Sequence, residues 1–155
     1  MDVRSFQPED AAETAQLISK TLKISNSKDY SAEYIKEIIA SYSAEALLEK
    51  ARDSHIYVAC DGSKIIGCGA IASYCGSTEE SILLMFFVLP EYQFKGIGRR
   101  IMQTLERDEY FLRAKRIELH ASITAVEFYK KLGYNYKNGV EKLTDELLYR
   151  LEKFR

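Results

Sequence analysis

Apolar and polar residues alternate at Val3, Arg4, Ser5 and Phe6, so a short strand is expected near the start of the chain. Pro8 then suits a first helical position, and Glu9 and Asp10 suit the positive end of a helix dipole. Ala11, Ala15, Ile18 and Leu22 recur at steps of four, three and four, which is one helical face. Ile24 to Tyr30 is polar and reads as a loop. Helical spacing returns from Ser31 to Arg52, with Ile35, Ile38, Ile39, Tyr42 and Ala46 on one stripe and a break near Ser41 to Ser43.

The centre of the chain changes period. Ile56 to Ala59 is a strand, Asp61-Gly62-Ser63-Lys64 a turn, and Ile65 to Ile71 a second strand. With the tip at Gly62-Ser63, Cys60 faces Ile65 and Cys68 faces Tyr57. Gly67 and Gly69 are unusual there, because glycine weakens a strand. Ser81 to Val88 is apolar without alternation, which predicts burial on both faces. Beyond Pro90, Gly96 and Gly98 lead into a helix carrying Ile97, Ile101 and Leu105. Arg116 to His120 is a strand, and Ser122 can cap a helix with Ala125, Phe128, Tyr129 and Leu132 on one face. Gly133 suits its end. Tyr134 to Tyr136 and Leu147 to Leu151 are the last strands. The order predicts a mixed α/β domain over residues 1–155, a central sheet flanked by about four helices.

Composition narrows the function. Hydrophobic residues are 46% and charged residues 29%, which argues against a disordered chain. A net charge of −1 offers no global attraction for nucleic acid, so any anion site must be local. The longest apolar run, Ile82 to Leu89, is far short of the roughly 18 residues of a membrane span. Met1 to Asp10 does not resemble a secretory leader, and a cytoplasmic location is expected. Cys60, Cys68 and Cys75 include no C-x-x-C pair and read as small hydrophobes. His55 and His120 are too few and isolated for a metal cluster, so no metal is expected.

Val88 to Arg100 carries the chemistry. A buried strand ends, and a glycine-bearing turn runs directly into a helix. The first amides of that helix lack intrahelical partners and sit at its positive end, where they can hold a phosphate or pyrophosphate. Lys95, Arg99 and Arg100 add local positive charge. The segment is neither a P-loop, since G-x-x-x-x-G-K-[ST] is absent, nor a dinucleotide fingerprint, since Ile101 stands where a third glycine belongs. What remains is Q-x-x-G-x-G at Gln93, Gly96 and Gly98.

After an apolar strand and V-x-P, this pattern resembles the acetyl-CoA signature of the GNAT acetyltransferases. Ala125-Val126-Glu127-Phe128-Tyr129-Lys130-Lys131-Leu132-Gly133-Tyr134 resembles the family's A-x-x-F-Y-x-K-x-G-[FY] helix. The opening Val3-Arg4-Ser5-Phe6-x-Pro8-x-Asp10 is similar to its first strand and turn. The resemblance implies the acyl-CoA N-acyltransferase fold, with strands four and five splayed apart around the thioester. It implies an enzyme that moves acetyl from acetyl-CoA to a primary amine by direct attack. Phe86, Phe87 and Val88 would bind the pantetheine arm through backbone, and the amides of Phe94, Lys95, Gly96, Ile97, Gly98 and Arg99 would hold the pyrophosphate. Ser122 stands where many relatives touch pantetheine with an asparagine; helix capping explains it equally well.

Tyr129 matches the family's general acid for the departing thiolate. A tyrosine titrates near ~10 and a thiol near ~8.5, so the transfer is uphill by roughly 2 kcal/mol. The general base stays open. The position resembling the family's strand-four glutamate is Ile82, leaving Glu79, Glu80, His120 or a water relay. A non-catalytic acyl-CoA binding or sensing module of the same fold is the alternative. The acceptor is expected to meet Ile24 to Glu33 and the segment after Tyr134. Ser25, Asn26, Ser27, Asp29 and Tyr30, then Asn135, Asn138, Glu141 and Asp145, are a polar set with acids that suits a cationic amine. Small amines and protein amines both remain open, and dimers are common in the family, so a homodimer is allowed.

Overall fold

The sheet is built outward from the central hairpin. In the computed structural model, which describes residues 1–155, β1 (Asp2–Ser5) pairs antiparallel with β2 (Ser54–Asp61), β2 with β3 (Lys64–Ser73), and β3 with β4 (Glu80–Val88). β4 then runs parallel to β5 (Arg116–Ala121). A parallel neighbour needs a crossover, and here helices supply it. β7 (Tyr149–Phe154) pairs antiparallel with β5, and β6 (Asn135–Tyr136) closes the far edge. The order is β1-β2-β3-β4-β5-β7-β6. β7 starts later than the apolar pattern suggested, because Leu147 turns the chain at φ 61°.

Six helices flank the sheet, where the periodicity suggested about four. α1 (Ala11–Ser25) follows a tight turn at Pro8–Asp10, and buries Ala11, Ile18 and Leu22 as their spacing predicts. The second helical segment is two helices, α2 (Ala32–Ser41) and α3 (Ala44–Lys50). Ser31 Oγ accepts from the Tyr34 amide and Ser43 Oγ from the Ala46 amide, each at 3.1 Å, so each helix has its own cap. α4 (Ile97–Leu105) is as expected. α5 (Glu109–Arg113) has too few residues for a periodicity; the Asp108 carboxylate starts it, accepting from the Tyr110 amide at 2.8 Å. α6 (Val126–Lys131) ends at Gly133, φ 97°, with the Tyr134 amide donating to Tyr129 O. No helix is long and apolar enough to cross a membrane.

Two details differ from the simple hairpin. A bulge between Ala59 and Cys60 leaves Cys60 opposite Ile65 but moves Cys68 opposite Val58 rather than Tyr57. Gly67 and Gly69 have a packing reason. A Cβ would come within 2.9 Å of the Ile101 side chain at Gly67 and 2.8 Å at Gly69. The missing side chains let α4 lie directly on β3, with Ile101 fully buried between them.

Candidate active-site cleft

The opening between β4 and β5 positions the site. They pair only over Glu80–Leu83 and Arg116–Leu119. Past Leu83, β4 has no neighbour on that side, and a bulge with Met85 at φ 56° redirects its end. The apolar run was expected to be buried on both faces, yet Leu84 is 37% exposed and Phe86 and Val88 only half-buried. Strand separation is the physical reason: these side chains border a cleft of 710 Å³.

The cleft brings together most of the residues singled out in the sequence. Phe86, Phe87, Val88, Gln93, Phe94, Gly96, Ile97, Gly98, Arg99, His120, Ser122 and Tyr129 all line it. Lys95 does not; it is exposed, with Nζ 5.5 Å from the Tyr92 ring centre. Glu80 does not either: its carboxylate is ion-paired with Arg116 on the far side of the β4–β5 junction. Glu79 is held outside by Lys115, 3.2 Å away.

At one end, the turn before α4 presents a row of donors. The amides of Phe94, Lys95, Gly96, Ile97, Gly98 and Arg99 donate to no acceptor within the protein; the first bonded amide is that of Arg100, to Gly96 O. Gly96 sits at φ 82°, and a Cβ there would meet nothing within 4 Å, so the turn is left-handed and open. Gly98 lies close to α6: a Cβ there would stand 3.1 Å from Phe128 Cζ, so a side chain would press on that ring. The Gln93 side-chain Nε2 donates to Ser25 Oγ and Val88 O, each at 3.0 Å, tying the turn to α1 and β4. This donor row with open space in front of it fits a pyrophosphate.

In the middle of the cleft stands Tyr129. Its ring packs edge-on against Phe86, Phe128 and Tyr134. Burial raises its pKa, with no hydrogen-bond partner contributing, so the hydroxyl keeps its proton and is uncommitted. The Ser122 hydroxyl makes no cap hydrogen bond, contrary to the capping expectation, and is likewise left facing the cleft.

His120 ends a charged row that the sequence reading missed. Arg116, Glu118 and His120 alternate along β5 and therefore share one face. Glu118 is fully buried. Burial alone would raise its pKa, but hydrogen bonds from His120, Arg150, Lys137 and Arg116 outweigh that and hold it at about 2. Its partners lie at 2.8 Å (His120), 2.7 Å (Arg150), 3.0 Å (Lys137) and 2.8 Å (Arg116). His120 Nε2 is the nitrogen engaged, so Nδ1 is left without a protein partner. The period-two recurrence of charge in a short strand was the available signal.

The other end is closed by α1, α2 and the segment before β7. Tyr30 and Tyr34 stack at 4.8 Å. The Tyr30 hydroxyl donates to Leu147 O at 2.8 Å and accepts from the Ile123 amide at 3.1 Å; the Tyr34 hydroxyl donates to Glu146 O. Of the polar acceptor set, Ser25, Asn26 and Tyr30 line the cleft. Ser27, Asp29, Asn135, Asn138, Glu141 and Asp145 do not.

Comparison with known proteins agrees with this geometry. Residues 52–136 match the family model described as an acetyltransferase (GNAT) domain. No curated protein matches the chain. The PaiA N-acetyltransferase of Thermoplasma acidophilum, solved with coenzyme A, superposes with a TM-score of 0.84 at 23% identity over 99% of this chain and 98% of its own. A GCN5-related N-acetyltransferase of Rhodopseudomonas palustris gives 0.80 at 22%, covering 99% and 95%. An aminoglycoside 6'-N-acetyltransferase complexed with coenzyme A gives 0.68 at 18%, covering 99% and 97%. These likenesses establish a shared fold.

Proposed function

Because the chain belongs to the GNAT acetyltransferase family, we propose that it transfers the acetyl group of acetyl-CoA to a primary amine by direct attack. The observation that carries the reading is one cleft with six unpaired amides at one end and an uncommitted, protonated Tyr129 hydroxyl in its middle. The first suits a pyrophosphate and the second suits a leaving thiolate. Two structures of the same fold contain coenzyme A, which supports the cofactor assignment.

In this reading the donor row from Phe94 to Arg99 anchors the pyrophosphate, and the unpaired edge of β4 at Phe86 to Val88 takes the pantetheine as an added strand takes a sheet edge. His120 removes the proton from the incoming amine through Nδ1, while Glu118 holds Nε2 and stabilises the imidazolium that forms. The neutral amine nitrogen bonds to the carbonyl carbon, the C–S bond breaks as the Tyr129 hydroxyl gives its proton to sulfur, the remaining extra proton on nitrogen passes to the tyrosinate, and His120 returns its own proton to water. Glu80 is left out, because its carboxylate is committed to Arg116 outside the cleft.

Acetyl-CoA consumption against an amine panel tests the reading. Thiol release dependent on an amine is expected. Coenzyme A binding without turnover on any amine would favour a sensing module, which has no use for a thiolate acid.

A further inference from the structure

The cleft as a whole has a composition that the sequence flanking its acceptor end does not suggest. Twenty-one of the 33 residues lining the cleft are hydrophobic, and none is an aspartate or glutamate. Its permanently charged side chains are Lys28 and Arg99, both cationic, and Arg99 belongs to the amide-lined end. The acceptor end is bordered by Tyr30, Tyr34, Ile35, Ile38, Leu84 and Leu148, with Asn26 and Lys28 beside them.

The two tyrosines do not change this character. Both hydroxyls are bound to backbone, at Leu147 O and Glu146 O, so ring carbon is what they leave for a bound molecule. No nearby acid reaches the lining, although Asp29 Oδ2 is buried without a hydrogen-bond partner. Asp29 and Glu146 bear on Tyr30 and Tyr34 but lie outside the lining. Glu118 stands behind His120 and is already met by Arg116, Arg150 and Lys137.

We propose, on the basis of the acetyltransferase reading above, that the acceptor is a small primary monoamine on an uncharged apolar body, and that diamines and polyamines are selected against. The reacting nitrogen must lose its charge to attack, which His120 allows. A second ammonium keeps its charge and must leave water without a counter-ion, in a cleft whose acceptor-side cation is Lys28. An apolar body instead gains from every methylene it buries, at roughly 10-fold or more in kcat/KM for each well-packed group.

Hexylamine and hexamethylenediamine isolate this difference, since the second adds only a terminal ammonium. The expected result is a kcat/KM at least about 30-fold higher for hexylamine, with ethylamine also well below it. Equal or reversed preference overturns the proposal. Ile38→Asp and Leu148→Asp each supply the missing carboxylate and should cut the hexylamine preference about 10-fold or more; two folded variants that leave the ratio unchanged would count against it. Calorimetry with coenzyme A and the two acetylated products, N-hexylacetamide and its terminal-amine counterpart, needs no turnover. Tighter binding of N-hexylacetamide by about 10-fold upholds the apolar subsite even if no amine is acetylated, in which case the enzyme reading alone fails. Equal binding, or none for either product, removes the subsite.

Discussion

Glu118 Oε2 lies 2.8 Å from His120 Nε2, two residues away on the same face of β5. A buried carboxylate that fixes one ring nitrogen determines which nitrogen is left for chemistry. His120→Gln should therefore lower kcat/KM by about 100-fold or more and flatten the ascending limb of the pH–rate profile. Glu118→Gln should lower kcat with little change in coenzyme A affinity. A His120→Gln profile of unchanged shape would assign proton removal to water instead.

Tyr129→Phe removes one hydroxyl from a ring held by Phe86, Phe128 and Tyr134. Turnover should fall by about 100-fold or more, while coenzyme A affinity stays within about 2-fold. Stopped assays with thiol detection, alongside calorimetry, separate the two quantities. Undiminished turnover would falsify the acid assignment.

Glu118 also ties stability to pH. Its pKa is held at about 2 in the folded protein, below the ordinary 4.5, so the folded state binds the proton less readily than the unfolded chain. That contribution, on the order of 3 kcal/mol, is fully present above about pH 5 and is lost as pH falls towards 2. Urea midpoints should decline over that window in the wild type. In Glu118→Gln the midpoint should start lower, because Arg116 and Arg150 lose their shared counter-ion, and its acid slope should be shallower.

The two glycines of the turn should separate by mechanism. Gly96→Ala forces a side chain into a left-handed position at φ 82° without a steric clash, costing about 1 kcal/mol and weakening coenzyme A binding roughly 10-fold. Gly98→Ala drives a methyl against Phe128 at 3.1 Å, so it should lower the melting temperature and disturb the helix that carries Tyr129. Thermal melts and coenzyme A titrations of both variants test the distinction; identical behaviour would mean that Phe128 yields freely.

The elements nearest the chemistry were legible in the chain because their signals are local. Gly96 and Gly98 between an apolar strand and a helical stripe predicted the turn, and the Ala125 to Tyr134 segment predicted the helix that carries Tyr129. α5 was not legible, because a helix of five residues capped by Asp108 leaves no periodic trace. The break between α2 and α3 was visible at Ser41 to Ser43, though the caps that make it two helices appear only in the folded backbone.

By itself the sequence determined the strand and helix types, the turn and the position of Tyr129, since each depends on residues within a few steps along the chain. The tertiary structure decided everything that depends on strands meeting. The β4–β5 pairing stops at Leu83, which turned an apolar run expected to be buried into the wall of a cleft. Pairing across β5 and β7 brought Arg150 to Glu118, and a fully buried carboxylate became a hub that orients His120. The same assembly kept Glu80 and the loop acids out of the lining of a largely apolar cleft. Side-chain direction across a sheet depends on register and twist between distant segments, and local pattern does not encode either.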